Sequence, residues 1–446
     1  MRVAIIGAGW AGMAAAVAAT RGGHHATVFE ASRALGGRAR GLNSILPDGS
    51  GITLDNGQHI LIGAYGETLR LMRLVGVDPN LALLRLPLAL TFPDGSGLAL
   101  RQGPAPWDAL AGIVSARGWS WRDKLALLRT AVVWRLGGFQ CAPSTTVAQL
   151  CEPLTQRLRD EFIEPLCVSA LNTPADQASG QVFLRVIHDS LFAGHGGSHL
   201  LLPKVDLAAL FPNAAAHWLQ AQGGDLRMGQ RVQTLSWNPA QAHTSSRVQW
   251  RVAGEAFDRV ILATAASDAA TVLAASSQAA PETIATQLQH WAGTTRALKF
   301  EAITTVYALA TRSANSSARL LPSPMLALRS SPDPARPAPA QFVFDRGQLG
   351  GPSNLLAFVV STSSGSRDAL QAQVVTQART QLGLQVQPIQ TIVEKRATFA
   401  CTPGLLRPPM HIAPGLLACG DYIEGPYPAT LEGATRSGVA AAHLLL

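Results

Sequence analysis

Gly7-Ala8-Gly9-Trp10-Ala11-Gly12 is a G-x-G-x-x-G run, and Glu30, followed by Ala31, stands 18 positions after Gly12. That spacing is close to the roughly 20 expected of a dinucleotide site. Gly7 permits a tight turn, Gly9 lets the backbone approach a pyrophosphate, and Gly12 lets a helix pack close to a strand. The N–H groups and dipole at the start of that helix favour phosphate charge, and Glu30 offers a carboxylate to ribose hydroxyls. A second glycine pair, Gly36-Gly37, stands beside Arg38 and extends the phosphate-binding surface.

These residues need elements to hold them. Val3-Ala4-Ile5-Ile6 reads as a strand buried on both faces. The alanine-rich stretch 14–19 reads as a helix, and 26–29 as a second strand ending at Glu30. Strand, glycines, helix, strand and acid in this order predict a Rossmann-type α/β fold. Buried strands are also expected at 226–235, 246–253, 258–264 and 416–419, and a small-residue helix at 431–446. The chain then divides into a discontinuous cofactor domain, 1–85, 199–270 and 402–446, and an α+β substrate domain, 86–198 and 271–401. The first substrate piece is helical by pattern. The second offers strands at 304–310, 341–344 and 355–361 and a helix at 367–382. Residues 323–340, rich in Ser, Pro and Ala, read in part as a flexible hairpin loop.

The Arg33-Ala34-Leu35-Gly36-Gly37-Arg38 stretch, with Gly420-Asp421 and Glu432-Gly433-Ala434 near the C-terminus, resembles the FAD-containing amine oxidase and carotenoid desaturase superfamily. The resemblance implies FAD as cofactor. It implies that Gly36, Gly37 and Arg38 lie along the pyrophosphate and that the Val232 backbone meets adenine. It also implies that Asp421 faces the ribityl chain and that Glu432, Gly433 and Ala434 meet the pyrimidine end of the flavin. Asp55-Asn56-Gly57-Gln58-His59 and Gly63-Ala64-Tyr65 resemble plant-type carotenoid desaturases. Residues 164–173, 178–181 and 426–434 resemble the squalene-associated branch, the hydroxysqualene dehydroxylases. That branch implies hydride transfer from reduced FAD to hydroxysqualene, with loss of water to give squalene. A carotenoid-type desaturase is the alternative; an amine oxidase and a non-catalytic FAD-bound lipid escort stand behind it.

A reductive dehydroxylation needs a carbon held against the flavin, an acid for the leaving hydroxyl and an apolar tunnel. His59 is the first candidate acid, with Tyr427 and Glu432 beside it and Asp55 behind them. Each has a structural reading too: His59 as a backbone partner, Tyr427 as a wall, Glu432 as a tether of the closing helix, Asp55 as the holder of a turn. The reductant that recharges the flavin has no signature.

The chain has 446 residues, 47% hydrophobic and 14% charged, with a formal charge of +8. Disorder and a single small domain are excluded. A charged fraction well below the usual quarter points to an apolar partner. With no basic run, nucleic acid is not expected. Five cysteines without a C-x-x-C pair predict neither disulfides nor a metal site and fit a reducing cytoplasm. No transmembrane helix is expected. Instead Trp107, Trp119, Trp121 and Trp134, interleaved with Arg117, Arg122, Lys124, Arg129 and Arg135, suggest peripheral attachment to an anionic inner membrane face through residues 107–135.

Overall fold

A computed structural model of the chain describes residues 1–445 except 102, 104–106, 193, 195, 239–248, 312–318, 332 and 334. Its central sheet has six strands in the order Asp225–Met228, His25–Glu30, Arg2–Ile6, Arg259–Leu262, Leu416–Ala418 and His411–Ala413. The first five run parallel and the sixth is antiparallel. Val3 to Ile6 are buried without alternation, as a parallel strand covered on both faces requires.

The helix Trp10–Arg21 is buried on almost every side. It packs on the sheet and against the closing helix Leu431–His443. Small residues allow this: a Cβ on Gly438 would lie 2.2 Å from the Ala11 carbonyl oxygen. The closing helix starts at Thr430, whose hydroxyl accepts from the Gly433 N–H at 2.9 Å.

A second, antiparallel sheet is ordered Met325–Ala327, Phe342–Asp345, Leu355–Val360, Phe300–Ala310 and Val386–Phe399. Helices including Trp107–Ser115, Trp121–Leu136, Glu164–Leu171 and Gly180–Leu191 lie between the two sets of strands in sequence. A short sheet of Leu61–Ile62, Leu200–Pro203 and Leu83–Leu86 joins segments from either side of those helices.

Several expectations need correction. The stretch 226–235 is not one strand: it pairs in the central sheet only to Met228, and Leu235–Asn238 belongs to a separate antiparallel sheet. Gly229, at a φ of +72°, marks the break. The strand expected at 246–253 is Gln249–Val252, and 246–248 lie outside the described residues. So does the end of the closing segment, Leu446. Within 323–340, Met325–Ala327 is a strand buried on both faces, Met325 and Ala327 in one hydrophobic cluster and Leu326 in another; 332 and 334 are not described. The 14-residue strand Val386–Phe399 had no local signal. It carries Pro388 at a register shift, where a missing N–H is tolerated.

Of the four tryptophans in 107–135, two do not face outward. Trp119 and Trp134 are 6% and 8% exposed and pack edge-on against Phe162 and Phe183. Trp107 and Trp121 are 66% and 74% exposed. Lys124 is engaged as well, donating to the Val114 carbonyl at 2.7 Å. No described helix is long and apolar enough to cross a membrane. All five cysteines are free, and no group of His, Cys, Asp and Glu suited to a metal occurs among the described residues.

A dinucleotide cradle opening into an apolar cavity

The glycines divide their work by what a side chain would meet. A Cβ on Gly7, whose φ is +110°, would lie 2.7 Å from the Ala263 carbonyl oxygen, and one on Gly12 would lie 1.9 Å from that of Gly7. Above Gly9 there is nothing within 4 Å. The turn is therefore closed on the protein side at Gly7 and Gly12 and open at Gly9, where a pyrophosphate needs room. The Gly36 N–H donates to the Ala8 carbonyl at 3.0 Å, which lays the second glycine pair beside this opening.

Glu30 accepts from the Ala8 and Ser32 N–H groups, both at 2.7 Å. A carboxylate has about four acceptor positions, so the side chain is held and still has capacity for ribose hydroxyls. Ala31, Val232, Gly37 and Ala11 line the same cavity. Arg38 reaches across it, donating to the Ala397 carbonyl at 2.7 Å and pairing with Asp421. This ion pair joins the two ends of the chain, and Gly420, Asp421 and Ala434 complete that wall. The open Gly9, the helix start and the half-satisfied Glu30 fit FAD.

The cradle continues into an apolar chamber. Together they enclose about 1050 Å³. Ile60, Leu90, Leu166, Leu200, Ile303 and Phe344 are among the chamber's walls, drawn from segments far apart in sequence. Asn172, Asp189 and Tyr427 are among the polar residues on its lining. Asn172 adopts a φ of +43° at the end of its helix. Its amide donates to the Thr398 hydroxyl at 2.9 Å, and its carbonyl accepts from the Thr362 N–H at 3.0 Å.

The proton-donor candidates separate here. His59 lines the cavity, but its Nδ1 lies 2.6 Å from the Gly57 carbonyl. A carbonyl only accepts, so Nδ1 carries the proton and Nε2 is left as an acceptor. Burial, helped by the Arg38 charge, lowers its pKa. The neutral ring is favoured, and in it Nε2 is the acceptor. Glu432 is buried and absent from the lining. Its oxygens accept from the Glu67 and Thr68 N–H groups at 3.0 and 2.9 Å and from Arg436 Nε at 2.6 Å. It therefore ties the closing helix to the start of helix Gly66–Leu74, and neither its carboxylate nor Gly433 reaches the cavity. Gly433 is a packing residue: its Cβ would lie 1.9 Å from the Tyr427 carbonyl oxygen.

Asp55 lies behind the cavity wall and accepts from the Leu207 N–H at 2.9 Å. Burial raises its pKa to about 6 against the opposing Leu207 bond and Arg346 charge. Tyr427 remains on the wall, with the Arg436 guanidinium 4.9 Å from its ring centre. Asp189 carried no local motif; only the tertiary fold brings helix Gly180–Leu191 to the cavity wall that Tyr427 also lines. The cysteines take no part, since burial pushes the Cys167 and Cys419 thiols up.

Comparison with known proteins agrees with this geometry. The family described as flavin containing amine oxidoreductase matches residues 10–446. A hydroxysqualene dehydroxylase of Rhodopseudomonas palustris is 27% identical over 100% of this chain and 98% of its own length. One of Zymomonas mobilis is 26% identical over 99% and 98%. A zeta-carotene desaturase of Synechocystis is 41% identical, over only 19% of this chain and 16% of its own. An oxidoreductase structure from Methanosarcina mazei superposes with a TM-score of 0.69 at 18% identity, covering 100% of both chains. Cyclohexylamine oxidase from Brevibacterium oxydans gives 0.66 at 15%, covering 100% of this chain and 98% of its own. The chain belongs to the flavin containing amine oxidoreductase family and is an FAD-dependent oxidoreductase.

Proposed function

We propose that this enzyme reduces hydroxysqualene to squalene in squalene and hopanoid biosynthesis, with loss of the hydroxyl as water. The carrying observation is the single cavity that joins the dinucleotide cradle to walls of Leu, Ile and Phe. It suits a long hydrocarbon with one polar group. Reduced FAD, when bound, supplies a hydride. The chain supplies the rest. The Gly7–Gly12 turn, Glu30, Arg38 and Asp421 hold the cofactor. The apolar walls exclude water and align the chain. Tyr427, one of the tyrosines on the cavity wall whose pKa burial raises, holds a proton for the leaving oxygen. Relatives with this activity that match the full length support the reading. The likeness to carotenoid desaturases keeps a dehydrogenating alternative in play.

The test is anaerobic. Enzyme with reduced FAD is mixed with hydroxysqualene, and the hydrocarbon product and flavin absorbance are followed. Squalene formed with flavin oxidation supports the reading. No reaction there, with conversion of phytoene by the oxidised enzyme, replaces it with the desaturase.

The substrate's insolubility suggests where the enzyme works. Trp107, Val114, Trp121, Leu125, Val133 and Leu136 are exposed on the helices Trp107–Ser115 and Trp121–Leu136, beside Arg122, Arg129 and Arg135. Exposed tryptophan and leucine flanked by arginine form a face for an anionic bilayer surface, and peripheral attachment there supports substrate capture.

A further inference from the structure

Each dehydroxylation consumes one proton at a site walled by hydrocarbon, so the acid must be recharged. The last turn of helix Gly180–Leu191 passes from solvent to the cavity wall within two residues. His188 is exposed, and its Nδ1 lies 2.6 Å from Asp189 Oδ1. Asp189 lines the cavity. Its other oxygen, Oδ2, is buried and completes no aligned hydrogen bond among the described residues. Tyr427 lines the same cavity. Its phenol lies close enough to Asp189 that the carboxylate, after burial, raises its pKa. The Arg436 guanidinium, 4.9 Å from the ring centre, favours a transient phenolate.

We propose that His188, Asp189 and Tyr427 form a proton path from solvent to the substrate hydroxyl, with Tyr427 as the acid and the other two as positioning residues that recharge it. This rests on the dehydroxylation reading. The substrate C–O bond breaks with its electron pair going to oxygen. That oxygen takes the Tyr427 proton and leaves as water. The carbon gains a hydride and is reduced by two electrons, and the bound reduced flavin is oxidised by two. The Tyr427 oxygen regains a proton through Asp189, which takes one from His188, and His188 takes one from water. Asp189 Oδ1 holds the imidazole, and the same carboxylate shares the cavity wall with Tyr427, so in this path one carboxylate serves both transfers.

Two measurements test this on the FAD-loaded full chain. The first is oxidation of the pre-reduced flavin by hydroxysqualene under anaerobic conditions. Asp189→Asn should slow it by on the order of 10²-fold with substrate affinity kept. His188→Gln should slow multiple turnovers, and imidazole added to the buffer should restore them. Loss of affinity at a normal rate in Asp189→Asn overturns the path, as does a His188→Gln enzyme of normal turnover. The second needs no substrate. The chain has four tyrosines, so ¹³C-tyrosine NMR with Tyr427→Phe assigns the Tyr427 signal. Its pKa should fall in Asp189→Asn; an unmoved titration overturns the pairing. If the wild-type flavin ignores hydroxysqualene while the titration responds, the substrate reading fails and the Asp189–Tyr427 pair stands.

Discussion

Glu432 gives the sharpest contrast between a catalytic carboxylate and a structural one, and replacing it with Gln separates them. The side chain accepts three hydrogen bonds, two from the backbone N–H groups of Glu67 and Thr68 and one from Arg436. The amide of Gln offers one acceptor and turns an NH2 towards a second donor, so one buried N–H loses its partner. A charge-assisted bond to a buried group contributes about 1.5–3 kcal/mol. The lost carboxylate charge at the start of helix Gly66–Leu74 adds about 0.3–1 kcal/mol. Arg436 is 44% exposed and regains water, so its share is discounted to below about 1 kcal/mol. The total is about 3 kcal/mol. The assay is denaturant unfolding of the FAD-loaded enzyme, paired with the turnover rate per flavin. The expected result is a lower midpoint with turnover within about threefold of wild type at a temperature where the variant is folded. A midpoint shift below about 0.5 kcal/mol with a turnover loss of about 100-fold would refute the reasoning and return Glu432 to the chemistry.

Gly9→Ala should keep the fold, because its Cβ meets nothing within 4 Å, yet bind FAD at least about tenfold more weakly; circular dichroism and flavin titration check this, and full retention of FAD is the contrary result. Asp55 has a folded pKa of about 6 against an ordinary 3.8, so the fold favours its protonated form. That contribution is complete below 3.8 and lost as pH rises through about 6. Asp55→Asn should therefore gain about 3 kcal/mol relative to wild type between pH 3.5 and 7.5, and a pH-independent difference in unfolding midpoints counts against it. Trp121→Ser with Leu125→Ser and Val133→Ser should lower co-sedimentation with anionic vesicles while leaving the fold intact, as all three are exposed. Trp134→Ser should instead destabilise by about 3 kcal/mol or more. Equal vesicle binding by the triple variant and wild type would exclude that face.

The sequence by itself determined the cofactor end. A glycine run, a helix start and an acid act through contiguous backbone, and the buried parallel strands around them need only a short apolar run, so pattern and function coincide within 30 residues. The Val386–Phe399 strand was illegible because its burial depends on which neighbours it pairs with. What the tertiary structure alone decided is which polar groups face the substrate. Glu432 sits two residues from Ala434 in sequence, but the helix turn aims it at Gly66–Leu74 while Ala434 meets the cavity. His59 faces the cavity but is committed through Nδ1. Trp119 and Trp121 are neighbours in sequence and differ from 6% to 74% in exposure, because only one meets Phe162. Asp189 and Tyr427, 238 positions apart in the chain, line one cavity, a closeness set by packing and recorded in neither local segment.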